Sequence, residues 1–155
     1  TAFAMILRGA RDHARTPMQW NTSVNAGFNA GAEPWQCVNR AYMRINADAD
    51  MASDRSIYRF YQRLLALRSS EQILLHGETI EYDPDDKNII AYSRTLEGRR
   101  MLIVGNFSGR AHNYNIPADF ETGELSIALS NYDGQTVGRK MKLRPYEAIL
   151  FREER

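Results

Sequence analysis

I-I-A-Y-S-R-T-L-E-G-R-R-M-L-I-V-G-N-F, residues 89–107, reads as two strands folded back on each other. Ile89 to Arg94 forms the first strand, and Leu96-Glu97-Gly98 is a tight connection in which the glycine supplies the backbone freedom a short turn needs. Met101 to Phe107 is nearly continuous in apolar residues, which predicts a strand covered on both faces. A short link between two such runs makes the pair antiparallel.

The same grammar continues on both sides. Ile80–Tyr82 is a short strand, and D-P-D-D-K-N (Asp83 to Asn88) is the polar turn that follows it. The triad Asp83, Asp85 and Asp86 therefore reads as turn chemistry rather than an ion site. Ala111 to Ile116 is a further strand, and Leu125, Ile127 and Leu129 alternate with Ser126, Ala128 and Ser130. After the turn formers of Asn131 to Gly138, the runs Met141–Leu143 and Tyr146–Phe151 close the set, with Pro145 between them. Six to eight short strands on short links predict a mainly β protein with an antiparallel sandwich. No internal repeat is visible.

Upstream the pattern changes. Residues 54–71 predict a helix with Ile57, Phe60, Tyr61, Leu64 and Leu67 on one face. Arg55, Arg59 and Arg63 fall opposite as a solvated surface, and Ser53 or Asp54 is the expected N-cap. Residues 1–52 are irregular apart from Ala2 to Leu7, which fits a short helix or the end of one. Gly27, Gly31 and Pro34 interrupt this region, and a loop of such length tends to be functional.

Composition bounds the function. The chain has 155 residues, 43% hydrophobic and 25% charged, with a formal net charge of +1. That is an ordinary globular balance with no basic run for nucleic acid or acidic membrane surfaces. One cysteine, Cys37, excludes an intrachain disulfide and favours a reducing cytoplasm. No apolar run reaches membrane-span length, and the opening T-A-F-A-M-I-L-R-G-A lacks the basic start of a signal peptide. A first residue of Thr fits a processed protein or a piece of a longer one. His13, His76 and His112 are dispersed, no metal-ligand spacing occurs, and no cofactor motif is present. The triplets N-T-S at Asn21 and N-F-S at Asn106 match a glycosylation pattern by chance unless the protein is secreted.

One stretch is dense in chemistry: R-D-H-A-R-T-P-M-Q-W, Arg11 to Trp20. Arg11 and Arg15, four apart, can present two guanidinium forks from one helical turn to carboxylates, phosphates or vicinal hydroxyls. In the alternative reading both arginines pair with structural acids and Trp20 covers a core. No pair of carboxylates suggests the opposed acids of a glycosidase.

These residues nevertheless resemble a family. R-D-H-A-R-T-P-M-Q-W, N-A-G-F with P-W after it, V-N-R-A-Y and I-N-A, the helix D-R-S-I-Y-R-F-Y-Q-R-L-L-A-L-R, the strand ending G-N-F-S and the close L-R-P-Y-E-A are similar to α-glucosidases of the α-amylase superfamily. The nearest branch is that of oligo-1,6-glucosidase, dextran glucosidase and trehalose-6-phosphate hydrolase. The likeness covers essentially the whole chain. It implies that residues 1–75 are the end of a (β/α)8 barrel, with the long loop after strand eight and the last helix at 54–71. Residues 76–155 would then be the C-terminal antiparallel β-sandwich. The family hydrolyses short α-glucosides, α-1,6-linked isomalto-oligosaccharides among them, with retention, using an Asp nucleophile, a Glu acid and a second Asp. Those acids lie on earlier barrel strands, so no catalytic residue is assigned here. Arg11 matches a residue holding the non-reducing glucose and Arg15 one beside it, with His13 and Trp20 as support. The implied partners are the missing barrel and a short gluco-oligosaccharide. Alone, the fragment would be inactive and free to self-associate through its helix. The alternative is a free-standing carbohydrate-binding or interaction module using Tyr82, Tyr92, Tyr114, Tyr132 and Tyr146.

Overall fold

A computed structural model describes residues 9, 12–120 and 122–154. Ala2 to Leu7 lie outside the described residues. The chain divides into two compact units, Thr1–Tyr61 and Gln62–Arg155.

In the first unit, the region expected to be irregular is a chain of tight turns organised by asparagines. The Asn21 carboxamide accepts from the Ser23 amide at 2.9 Å. Asn25 donates to Asn29 and to the Ala32 carbonyl, each at 2.9 Å. Asn39 caps a 3-10 turn, Arg40–Met43, by accepting from Ala41 N–H at 2.9 Å. Asn46 accepts from Ala49 N–H at 2.8 Å and starts a helix, α1, Ala47–Ala52. Helix α1 departs from the irregular expectation. Its cause is local: an Asn cap followed by Asp48 and Asp50 in the first turn, where the helix dipole favours negative charge.

Helix α2 runs Ile57–Ser70. Its cap is Ser56, not Ser53 or Asp54: Ser56 Oγ accepts from Arg59 N–H at 3.0 Å, the geometry a capping serine needs. Asp50 reaches over from α1 to accept the first helical N–H groups, Ile57 and Tyr58, both at 3.0 Å. Those bonds hold the Asp50 carboxyl below its ordinary value, Tyr58 N–H first and Ile57 N–H next. Only Phe60, Leu64 and Leu67 of the predicted apolar face are half-buried, whereas Ile57 and Tyr61 stay 67% and 57% exposed. Arg55, Arg59 and Arg63 are exposed as expected.

A five-residue helix, α3 (Gln72–His76), follows after one residue. It is too short to show a helical period in the sequence. Among the described residues, seven strands then form two antiparallel sheets. They are β1 (Glu78–Tyr82), β2 (Ile89–Leu96), β3 (Arg99–Asn106), β4 (His112–Asn115), β5 (Leu125–Ser130), β6 (Lys140–Leu143) and β7 (Ala148–Glu153). The larger sheet has the order β1-β2-β3-β7-β5, and β4 pairs with β6 alone. The sandwich is therefore lopsided. The β2–β3 hairpin is as read, with Leu96 opposite Arg99 and both Glu97 and Gly98 at positive φ, 51° and 79°. A two-residue turn of that hand matches strand twist.

Alternation places Ile89, Ala91, Leu102, Val104, Ile149 and Phe151 of the large sheet in one core with Tyr114, Met141 and Leu143 of the small one. Burial pushes the Tyr114 phenol above its ordinary value. The other face of the large sheet buries Met101, Leu129 and Leu150, so β3 is covered on both sides. Arg100 closes one end of the core: its guanidinium lies 3.7 Å from the centroid of the buried Phe120 ring and bonds Asp119.

Candidate functional site

Arg11 lies outside the described residues, as does the His13 side chain. Asp12–Ala14 form a 3-10 turn closed by Arg15 N–H donating to the Asp12 carbonyl at 3.0 Å. Arg15 is exposed and Pro17 is buried. Trp20 is half-exposed, while its backbone is held on both sides. Trp20 N–H donates to the Ala26 carbonyl at 2.8 Å, and its carbonyl accepts from Asp48 N–H at 3.0 Å. The Gln19 carbonyl accepts from Ala47 N–H at 2.9 Å, and its carboxamide donates to the Ile45 carbonyl. The R-T-P-M-Q-W segment is thus tied to the start of α1 by main-chain bonds.

The turn under Trp20 has a specific requirement. Asn25 and Ala26 have φ of 51° and 59°, and Gly27 follows at 70°. A Cβ on Gly27 would lie 2.6 Å from the Asn21 carboxamide oxygen, so only glycine fits. The N-A-G-F motif is therefore a shaped turn whose job is to present residues 19–21. In the same segment Met18, Trp20, Phe28 and Trp35 are 51%, 50%, 49% and 82% exposed. Sequence reading singled out Trp20 but assigned no role to the Asn21–Gly27 clamp. An asparagine opening each turn was the available signal.

The acidic and aromatic candidates sort differently. Asp86 accepts the Asn88 and Ile89 amides at 2.7 and 3.0 Å, and these bonds hold its carboxyl below the usual range. It is a turn-forming group. Among the described residues, no three or more His, Cys, Asp or Glu gather as a metal site. Asn106 is buried and donates to the Arg110 and Arg144 carbonyls at 2.7 and 2.8 Å, so its carboxamide is committed internally. Of the five tyrosines, Tyr114 is in the core, Tyr92 is half-buried on β2, Tyr82 bonds Asp119 at 3.0 Å, and Tyr132 bonds the Pro145 carbonyl at 3.0 Å. Tyr146 is exposed at a positive φ of 56°. They do not form one platform.

The close of the chain is clamped as tightly as the loop. Glu147 is fully buried and accepts Arg144 N–H at 2.7 Å and the Gln135 carboxamide at 3.2 Å. Asn131 donates to the Tyr146 carbonyl and accepts from Ala148 N–H, at 2.8 and 2.9 Å. L-R-P-Y-E-A is therefore a structural turn.

Two family profiles cover most of the chain. The alpha amylase catalytic domain matches residues 3–77, and the C-terminal domain of the alpha-amylase SusG matches residues 89–150. The chain belongs to the α-amylase family. Within it, the oligo-1,6-glucosidase of Halalkalibacterium halodurans is 40% identical over 97% of this chain and 27% of that protein. The Escherichia coli trehalose-6-phosphate hydrolase is 35% identical over 94% of this chain and 26% of that protein. Crystalline Bacillus licheniformis trehalose-6-phosphate hydrolase superposes with a TM-score of 0.86 at 31% identity, over 94% of this chain and 27% of that one. This α-amylase family chain thus spans about a quarter of the length of the curated relatives it matches. No helix among its described residues is long and apolar enough to cross a membrane.

Proposed function

We propose that the chain is the C-terminal part of a retaining α-glucosidase that hydrolyses short α-glucosides, α-1,6-linked isomalto-oligosaccharides first among them. The observation that carries this reading is 40% identity to an oligo-1,6-glucosidase over a match that spans 97% of this chain. In this reading residues 1–75 complete a (β/α)8 barrel and residues 76–155 are the C-terminal domain. Arg11 and Arg15 bind sugar hydroxyls at the pocket through directional guanidinium bonds. The nucleophile and acid come from the barrel, which is the chain's principal partner, so the chain alone is inactive. The compartment is the cytoplasm, in keeping with a free, exposed Cys37. Without the barrel, the exposed stripe Ile57, Tyr58, Tyr61 and Leu65 is the surface for self-association.

The test has two arms. The purified chain is assayed on p-nitrophenyl α-glucoside, where turnover comparable with whole enzymes refutes the division of labour. The full-length gene product is then assayed on isomaltose, maltose and trehalose 6-phosphate. Preference for isomaltose supports the substrate named; preference for either other sugar replaces it.

A further inference from the structure

Helix α2 ends at Ser70 and α3 begins at Gln72, leaving Glu71 alone between two helices. Its backbone is extended, φ −104° and ψ 101°, so the chain turns there. Its carboxylate, 13% exposed, takes Arg99 on one oxygen at 2.9 Å and Arg152 on the other. Arg99 opens β3 and Arg152 lies on β7, opposite Met101 in the register of those adjacent strands. From β2, Arg94 donates to the Ile73 and Leu74 carbonyls at 3.3 and 3.4 Å and to the Thr79 hydroxyl at 2.5 Å. It thereby gives a donor to the Leu74 carbonyl at the end of α3 and a second one to the Ile73 carbonyl, which also takes Gly77 N–H at 3.0 Å. Gly77 lets this end sit close against β2: a Cβ there would lie 2.5 Å from the Ile73 carbonyl and 3.0 Å from that of Thr95. Three neighbouring strands therefore hold a five-residue helix that has no stability by itself.

We infer that Glu71 is a latch that fastens the C-terminal half of α2, with α3, onto the sandwich. Burial alone pushes the Glu71 carboxyl up, but its bonds to Arg99 and Arg152 outweigh that and hold it below the ordinary glutamate value. On the reading under Proposed function, α2 is the last barrel helix. The sandwich then has a task beyond covering surface: it holds that helix from its C-terminal end, and Glu71 is a positioning residue.

The test is hydrogen exchange on this chain with Glu71→Gln, which keeps the shape and removes the charge. Amides of residues 64–76 are expected to exchange about tenfold faster, while those of 102–104 and 149–151 stay within about twofold. A uniform rise, or none, overturns the latch. Arg99→Gln, at an exposed partner, gives a smaller local rise, and combining it with Glu71→Gln adds little because the partner is already lost. Additive effects overturn the latch as well. Because this test uses the chain alone, its failure is separate from failure of the glucosidase reading, which rests on the assays above.

Discussion

Replacing Asn106 by alanine tests whether the end of the sandwich is held by one buried side chain. Asn106 is 3% exposed and makes three bonds: to the Arg110 carbonyl at 2.7 Å, the Arg144 carbonyl at 2.8 Å, and from Ser108 N–H at 3.0 Å. Each is worth about 1 kcal/mol net, and a partly buried donor left bare costs roughly 1–3 kcal/mol more. The Arg110 carbonyl keeps a second donor in the Ser108 hydroxyl at 3.0 Å and the Arg144 carbonyl keeps Glu147 N–H at 3.2 Å, so the group left bare is the Ser108 N–H. The turn that Arg144 opens also carries Tyr146 in the left-handed region, which costs of order 1 kcal/mol and persists only while its surroundings impose it. The expected loss is about 3–5 kcal/mol, a large share of a typical domain's stability. For a chain of this length that lowers the thermal midpoint by on the order of 10 °C. Urea unfolding, followed by circular dichroism with the slope held constant, measures it. Asn106→Asp keeps the acceptor for Ser108 but turns both donated bonds into contacts between a charge and carbonyls, so it is expected to be at least as damaging. A loss under about 1 kcal/mol for alanine, or a mild aspartate variant, would refute the clamp.

Three other outcomes follow from the geometry. Gly27→Ala clashes with Asn21 and strains a φ of 70°, so it should cost about 1–3 kcal/mol and raise protease cleavage within residues 19–32; unchanged cleavage counts against the shaped turn. The Glu71 carboxyl is depressed in the folded chain, so its stabilisation is complete above the ordinary glutamate value of 4.5 and is lost as pH falls through the lower folded value. Wild type should therefore lose urea resistance on that acid limb faster than Glu71→Gln, and parallel curves would contradict the ion pairs. In the full-length enzyme Arg15→Ala should lower kcat/KM by roughly tenfold or more with the unfolding midpoint unmoved, because Arg15 is exposed here; a shifted midpoint with intact kinetics favours a structural role.

Much of the sandwich was legible in the sequence because its signals are short-ranged. Alternation in residues 125–130, the apolar run of β3 and the Glu97-Gly98 turn each depend on neighbours a few positions away. Misreadings arose where distant groups decide. The cap of α2 went to Ser56 because Asp50, from another helix, already takes the first amides. The predicted apolar face of α2 is a true periodicity, yet Ile57 and Tyr61 remain exposed, since periodicity shows which residues want cover and not whether cover is present. For the candidate site, the motif at Arg11–Trp20 was visible, while the Asn21–Gly27 turn beneath it was seen only as a break.

By itself the sequence determined the class of fold, the hairpin at its centre, the family and the motif at Arg11–Trp20. Backbone preference, side-chain period and motif all act over a few residues and survive in a linear string. Only the tertiary structure decided that β7 lies between β3 and β5, that β4 and β6 stand apart, that Asn106 and Glu147 are buried and bonded, and that Glu71 gathers two strands onto the joint of two helices. Those outcomes depend on which strand edges and which buried donors are left once the rest of the chain has packed, and no local pattern encodes that remainder.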